Sequence, residues 1–519
     1  MIRIGQPFFG VLALALIAVV ASAGGCSGGT HGSGFGDGTG SSSGSGQDSS
    51  VSDDDGGGGG FSSGGFSSGG LMLSDANSSS GTAPACANGS TGWTCKVDTS
   101  CATDSPTTLT GKVYDPAGAN PLYNVVVFIP NDPSTLPAIT PGTHSCNTCD
   151  TSIGNYVVAT LTDATGSFTL KGVPTGTGVP VTVQVGKWRR TTTVNVTKSC
   201  GSNSVSAGTL HLPGSKSQGD MPQMAVLTGG CDDLGCFMTG MGIAASEFTA
   251  PQGGGRVDVY QGTGLAGLGG AATLSGGTAG NCSGTACPLW ATKKSLEYYD
   301  MALFSCECGE NNQTKAAPAM QNLHDWLNEG GKVFASHYQY TWFKNSPATD
   351  FQGVANWLTS GAANPANATE DIDATFPKGM AFAQWLGVVN ALNGAGPPPT
   401  IVLDDVATSV STVVNTPPQA TLRWIYDPSA SDDVKYMSFE TPIGGAPAPA
   451  EAGAESGPQY CGKAVFTDLH TSGSLFSTVT DIPTGCGSNA GKLSDQQKAL
   501  EFLFFDLSAC VMPDTVIPT

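Results

Sequence analysis

Positive charge is scarce in this sequence: 21 Lys and Arg stand among 519 residues, against 41 Asp and Glu, for a net charge of −20. A nucleic-acid binder needs clustered Lys and Arg to neutralise phosphates, so that class is excluded, as is a protein held on anionic lipid by a basic patch. Histidine is rarer still, six in all, and none stands in a His-x-x-Glu spacing, which excludes a zinc-peptidase helix. After the first two dozen residues no stretch reaches the roughly 18 apolar residues of a membrane-crossing helix. No cofactor motif stands out: Gly262 to Gly267 match G-x-G-x-x-G, but glycines continue past them and no clear helix follows. What is abundant is glycine, at 73, and cysteine, at 16, too many for an average cytosolic enzyme.

Residues 1–26 read as an export signal. Arg3 supplies the basic start, an apolar run extends from Phe8 to Ala23, and Ala23-Gly24-Gly25 precede Cys26. Small residues directly before a cysteine resemble the bacterial lipobox. The resemblance implies a membrane partner held through lipid on Cys26, and Ser27 in the next position favours the outer membrane. Residues 27–85 are almost pure Gly, Ser, Asp and Thr and cannot bury enough apolar surface to offset the entropy of ordering. They are expected to form a tether with an r.m.s. reach on the order of 40 Å. Within it, Asp53-Asp54-Asp55 read as a solvated charge run.

From 86 to 215 short Val-, Thr- and aromatic-rich segments, at 108–114, 125–129, 156–161, 167–170, 179–185 and 191–196, predict strands punctuated by Asp/Gly turns. Their spacing points to a β-sandwich. Leu109-Thr110-Gly111-Lys112-Val113-Tyr114-Asp115-Pro116 and Thr162-Asp163-Ala164-Thr165-Gly166-Ser167-Phe168 resemble the carboxypeptidase regulatory-like domain, a transthyretin-like sandwich. That likeness implies an accessory role and no peptidase activity.

From 220 to 515 strand-like and helix-like segments alternate, predicting a doubly wound, mainly parallel α/β sheet whose ligands bind at the carboxyl ends of the strands. Met301 to Ser305 run into Cys306, and Gly462 to Thr467 lead to His470. This order resembles class I glutamine-amidotransferase-like folds (a flavodoxin-like topology), including the trehalose-utilisation-like branch. There a cysteine on a strand-to-helix elbow meets a histidine from a later strand. By that resemblance Cys306 is nucleophile and His470 base, because a thiol needs a neighbouring imidazole or positive field to become a useful thiolate. Asp232 and Asp233 follow the first strand, and His337, Tyr338, Tyr340 and Trp342 follow another. They are candidate ligand contacts, the aromatics as platforms for sugar rings; helix capping and core packing are the competing roles.

Setting Cys26 aside leaves an odd number of cysteines, so complete pairing leaves one thiol over. Short spacings suggest local bridges Cys146–Cys149, Cys231–Cys236, Cys282–Cys287 and Cys461–Cys486. Cys86, Cys95, Cys101 and Cys200 surround the sandwich, and Cys306, Cys308 and Cys510 remain. His144, Cys146 and Cys149 lack a second ligand pair at zinc-finger spacing, so a disulfide is the expected use of these cysteines. The sequence thus describes a multidomain envelope protein with no cofactor. Its favoured role is non-catalytic binding of carbohydrate or an envelope protein, and the alternative is a thiol-dependent hydrolase or amidotransferase-like enzyme using Cys306 and His470.

Overall fold

The computed structural model of the chain describes residues 92–142, 146, 153–263, 274, 276–358, 367–429, 433–445, 459–471, 481–511 and 514–515. The expected leader and tether, Cys26, Cys86, the acidic run at 53–55, His144, Cys149 and most of the glycine-rich motif at 262–267 lie outside the described residues. Among the described residues no helix is long and apolar enough to cross a membrane.

The first part is built of strands, with two short 3-10 turns at Trp93–Lys96 and Pro133–Thr135. β1 (Thr108–Tyr114), β2 (Val126–Pro130), β3 (Tyr156–Leu161), β4 (Ser167–Lys171), β5 (Gly176–Val185), β6 (Trp188–Val196), β7 (Ser202–Ser204) and β8 (Leu210–His211) form two four-stranded sheets. One runs β4-β1-β7, with β8 also on β1, and the other β3-β2-β5-β6. The Asp/Gly signals are turns for a visible reason. Asp163 Oδ1 accepts from the backbone N–H groups of Thr165 and Ser167 at 2.8 and 3.1 Å, and Gly166 sits at φ 72°, where a Cβ would strike Pro121.

The second part is a mixed sheet with helices. Its elements are β9 (Met224–Leu227), α1 (Leu234–Gly240), β10 (Phe248–Thr249), β11 (Val257–Gln261), β12 (Gly280–Asn281), α2 (Lys293–Leu296), β13 (Met301–Phe304), α3 (Ala317–Asn328) and β14 (Lys332–Ser336). There follow α4 (Thr341–Lys344), α5 (Thr349–Gln352), β15 (Ala355–Trp357), β16 (Ala368–Ile372), α6 (Pro377–Val388), β17 (Thr400–Leu403) and β18 (Val410–Val413). β19 (Leu422–Asp427), β20 (Asp433–Thr441), β21 (Gly462–Thr467) and α7 (Asp495–Ser508) complete it. The sheet order is β10-β11-β9-β13-β14-β21-β20-β19-β16-β17. From β10 to β21 all pairings are parallel, and beyond β21 all are antiparallel. The expectation of a mainly parallel sheet therefore holds for one half only. The longer parallel strands β11-β9-β13-β14-β21 follow the 2-1-3-4-5 pattern, in which the strand order reverses between β9 and β13.

Helix α7 joins the two parts. Ser494 and Gln497 close its N-terminus as a capping box, and its inner face packs on β14, β17 and β21. Its other face meets the strands of the first part. Asn120 Nδ2 donates to Glu501 Oε2 at 2.7 Å, Tyr123 stacks on Phe502 with ring centres 5.7 Å apart, and Trp188 meets Phe504 and Phe505 edge-on. Leu109, Val113 and Val181 share one buried core with Met224, Leu303 and Phe504. Nearby, Lys378 and Lys463 lie buried against Asp506 and Asp514 at 2.5–2.8 Å.

The disulfides correct the sequence reading. Cys282–Cys287 is local as expected, and Cys101–Cys200 ties together the ends of the first part. The other three expected local bridges do not form. Cys146 pairs with Cys461, Cys231 with Cys308, and Cys236 with Cys486. Sheet order explains Cys231–Cys308: β9 and β13 are neighbours, so the loops at their carboxyl ends meet. Cys510 is also disulfide-bonded. Cys306 is the free cysteine among the described residues.

Candidate functional site

Three neighbouring parallel strands deliver the site. β13 is wholly buried between β9 and β14, which is why it reads as an uninterrupted apolar run. Two residues past its end, the Cys306 carbonyl accepts from Cys231 N–H at 3.1 Å, and Gly229 lies so close that a Cβ there would overlap this carbonyl. The thiol is fully buried. No helix follows directly: a loop leads to α3 at Ala317, so Cys306 does not occupy the expected strand-to-helix elbow. That tight turn belongs instead to His337, which directly follows β14 and opens a 3-10 turn, His337–Tyr340, at φ 43°. A non-glycine residue held there is strained, and such strain concentrates at functional sites.

His470 follows β21 and is fixed on several sides. Its N–H donates to the Asp405 carbonyl at 3.1 Å, its own carbonyl accepts from Gln496 Nε2 at 2.5 Å, and its Nδ1 lies 3.2 Å from Asp405 Oδ2. This last contact sets a carboxylate directly behind the ring, on the side away from Nε2. The ring's other face of the cluster is His337: His337 Nδ1 lies 3.0 Å from His470 Nε2 and 3.5 Å from Cys306 Sγ. The ligating atoms of Cys306, His337 and His470 all lie within 4.8 Å of one another. Burial and the neighbouring His470 charge push His337 down to about 3. Burial also opposes charge on His470, but Asp405, Cys306 and Asp232 outweigh it and raise His470 well above the usual imidazole range.

Asp232 organises this edge without facing a free space. Its Oδ1 accepts from Asp233 N–H and Thr471 N–H at 2.9 and 2.8 Å and from Thr471 Oγ1, while Oδ2 accepts from Ser336 Oγ. It thereby grips the residues flanking both histidines. Asp233 is the buried N-cap residue of α1, and its side chain makes no capping hydrogen bond. Glu307 turns toward Lys315 Nζ at 2.8 Å, both side chains being wholly buried, and also accepts from Thr263 N–H and Gln339 Nε2.

Two of the three aromatics proposed as a platform are buried in the core. Tyr340 and Trp342 are each 1% exposed; Tyr340 donates to Glu310 Oε1, and Trp342 packs on Trp290 and Phe304 while donating to Gln339 Oε1. Tyr338 is half-buried, with its ring 4.3 Å from that of His337. Strand ends in the sequence point to His337 but not to its contact with Cys306, nor to the place of Asp405 behind His470. The visible signal was the acidic pair Asp404-Asp405 directly after the strand β17.

No family model matches the sequence, and no curated protein matches it. Among solved structures, a ThuA-like protein from Bacteroides uniformis is similar over 54% of this chain and 88% of its own, with 11% identity and a TM-score of 0.24. A likeness at that score carries no argument here, and the site must be read from its own geometry.

Proposed function

We propose that this is an exported binding protein, anchored to the outer membrane by lipid on Cys26 and lifted from it by the 27–85 tether. In this reading the strand-rich first part is a carboxypeptidase regulatory-like accessory domain, and the α/β part captures a ligand at the Cys306–His337–His470 centre without turning it over. The disulfides support an oxidising compartment. The observation that carries the binding role is the buried, unfinished chemistry of the centre. Three polar side chains converge there, with Cys306 Sγ, His337 Nδ1 and His470 Nε2 turned toward one another, and the adjacent Ser305 Oγ makes no hydrogen bond within the chain. Buried polar atoms turned on one another at 3.0–3.5 Å are relieved by a ligand held between them, since a buried polar group left without a partner costs about 1–3 kcal/mol. Native mass spectrometry of the full chain purified from envelopes tests this: wild type should carry a non-covalent mass that Cys306→Ser lacks. A wild-type chain with no bound mass overturns the reading.

A thiol-dependent hydrolase or amidotransferase-like enzyme is the second reading. Cys306 is unbridged, and His470 is backed by Asp405, in the order nucleophile, base and orienting acid. Against it stands a thiol with no exposed surface. Cys306-dependent hydrolysis of an activated ester, or ammonia release from glutamine, decides for the enzyme.

A further inference from the structure

The ligand of this centre can be named by class. We propose that Cys306 Sγ, His337 Nδ1 and His470 Nε2 bind one soft divalent transition-metal ion, of the zinc type, with Asp405 supporting His470 from behind. The inference rests on the binding reading above and deepens it.

Geometry is the first argument. In a tetrahedral zinc site, metal–sulfur bonds of about 2.3 Å and metal–nitrogen bonds of about 2.0–2.1 Å place a sulfur and a nitrogen ligand roughly 3.5 Å apart and two nitrogens roughly 3.3 Å apart. Here Cys306 Sγ and His337 Nδ1 are 3.5 Å apart, and His337 Nδ1 and His470 Nε2 are 3.0 Å apart. Two edges of the triangle thus have nearly the lengths an ion requires, and the third lies within 4.8 Å. Each corner comes from the carboxyl end of a different strand, β13, β14 or β21, and these are consecutive in the sheet.

The surroundings are those of a ligand set held in place. A carboxylate behind a coordinating imidazole fixes its tautomer and strengthens it as a donor, and Asp405 stands 3.2 Å from the Nδ1 of His470, whose Nε2 faces the cluster. Asp232 ties Ser336, just before His337, to Thr471, just after His470. The set leaves a fourth position for water or an incoming ligand, as in three-ligand zinc sites.

Charge and chemistry select the ion. A thiolate and two imidazoles suit zinc or copper and exclude calcium and magnesium, which want oxygen donors. A divalent cation balances the buried thiolate and the Asp405 carboxylate. Coordination also protects the one free described thiol, which lies two residues from the Cys231–Cys308 disulfide and would otherwise invite exchange.

The test uses the full, disulfide-intact chain, stripped of metal with a chelator and titrated with Co²⁺. We expect one equivalent to bind, with a thiolate-to-cobalt charge-transfer band and intense tetrahedral ligand-field bands, and Zn²⁺ to displace it. Cys306→Ser should abolish the charge-transfer band. His337→Gln and His470→Gln should weaken binding by at least the roughly 100-fold upper end seen for residues that only support a ligand. Circular dichroism of the metal-free variants checks that they fold; should one misfold, the wild-type spectrum decides alone. Cobalt bound without the thiolate band, or unchanged binding by folded Cys306→Ser, overturns the proposal. If wild type binds neither Co²⁺ nor Zn²⁺ yet carries another Cys306-dependent mass, the metal inference fails and the binding reading stands; with no bound mass at all, both fall.

Discussion

His337 Nδ1 and His470 Nε2 face each other at 3.0 Å across the ends of the adjacent strands β14 and β21. Two imidazole nitrogens that close need a proton between them or a cation beside them. Without an ion the split in their proton affinities settles the arrangement: His337, pushed down to about 3, accepts, and His470, raised above its ordinary range, donates.

The metal-free protein should therefore show one histidine neutral at pH 5 and another that titrates above the ordinary imidazole range. Imidazole NMR titration of the chelated chain measures both. Because His470 binds its proton more tightly when folded, the stability it contributes is complete below its unfolded value near ~6.5 and is lost as pH rises through its raised folded value. Asp405→Asn removes a principal cause, so its His470 should titrate lower and its metal affinity should drop about 10–100-fold. An unchanged His470 titration in Asp405→Asn would show that the carboxylate does not set the ring's charge.

Asp232→Ala should be among the most damaging substitutions at this edge. It strands the Ser336 hydroxyl and the backbone N–H and hydroxyl of Thr471 in a buried setting, at about 1–3 kcal/mol each, so a loss of about 4 kcal/mol is expected; Asp233 N–H keeps Thr471 Oγ1 as acceptor. Asp232→Asn keeps the shape and part of the acceptor capacity and should lose about half as much. Denaturant unfolding with intact disulfides reads this, and a loss below about 1 kcal/mol for the alanine variant contradicts the assigned role.

Lys463→Met tests the buried ion cluster under the sheet. Lys463 Nζ donates to Asp506 Oδ2 and Asp514 Oδ1 at 2.6 and 2.5 Å, and Lys378 shares both carboxylates. Removing one cation leaves uncompensated buried charge, and about 3–5 kcal/mol of stability should go. Adding Asp506→Leu should restore part of it, because the remaining Lys378 and Asp514 then balance. A double variant less stable than the single one excludes this account.

Local features were legible in the sequence where local physics decides them. β13 and β21 are wholly buried strands and so read as mainly apolar runs, and the Asp163–Gly166 turn shows itself through an aspartate that bonds its own backbone and a glycine at positive φ. Relations set by strand order were not legible. Cys231 and Cys236 are close in sequence yet bond to Cys308 and Cys486, because the neighbours of β9 and α1 come from elsewhere in the chain. The antiparallel strands beyond β21 do not show themselves in the sequence as an extension of the same sheet, because strand direction is set by partners elsewhere in the chain. Asp405 was hidden for the same reason: it reaches His470 only because the segment after β17 pairs with the one after β21, through Val406 and Leu469. At the site, Cys306 and His470 were named from strand ends, whereas the strained turn at His337 is a backbone property that residue types do not display.

Glu501→Gln should make stability less dependent on pH. Asp115 and Glu501 are both fully buried where the first part meets α7, and each has one carboxylate oxygen without a hydrogen-bond partner. Burial raises Asp115 to about 6, and burial and then the charge of Asp115 raise Glu501 well above the carboxylate range. Both groups hold protons more tightly folded than unfolded. The stability linked to them is therefore complete below their unfolded values near ~4, is lost by Asp115 as pH climbs through about 6, and by Glu501 at higher pH still. The Asp115 shift alone corresponds to about 3 kcal/mol between pH 4 and pH 8. Glutamine at 501 cannot ionise, can still accept from Asn120 and can donate to an Asp115 carboxylate. The variant should match wild type near pH 4 and exceed it by about 2 kcal/mol at pH 8, read as thermal unfolding across that range. A stability difference that stays constant from pH 4 to pH 8 would mean that these two carboxyls do not share their protons at this junction.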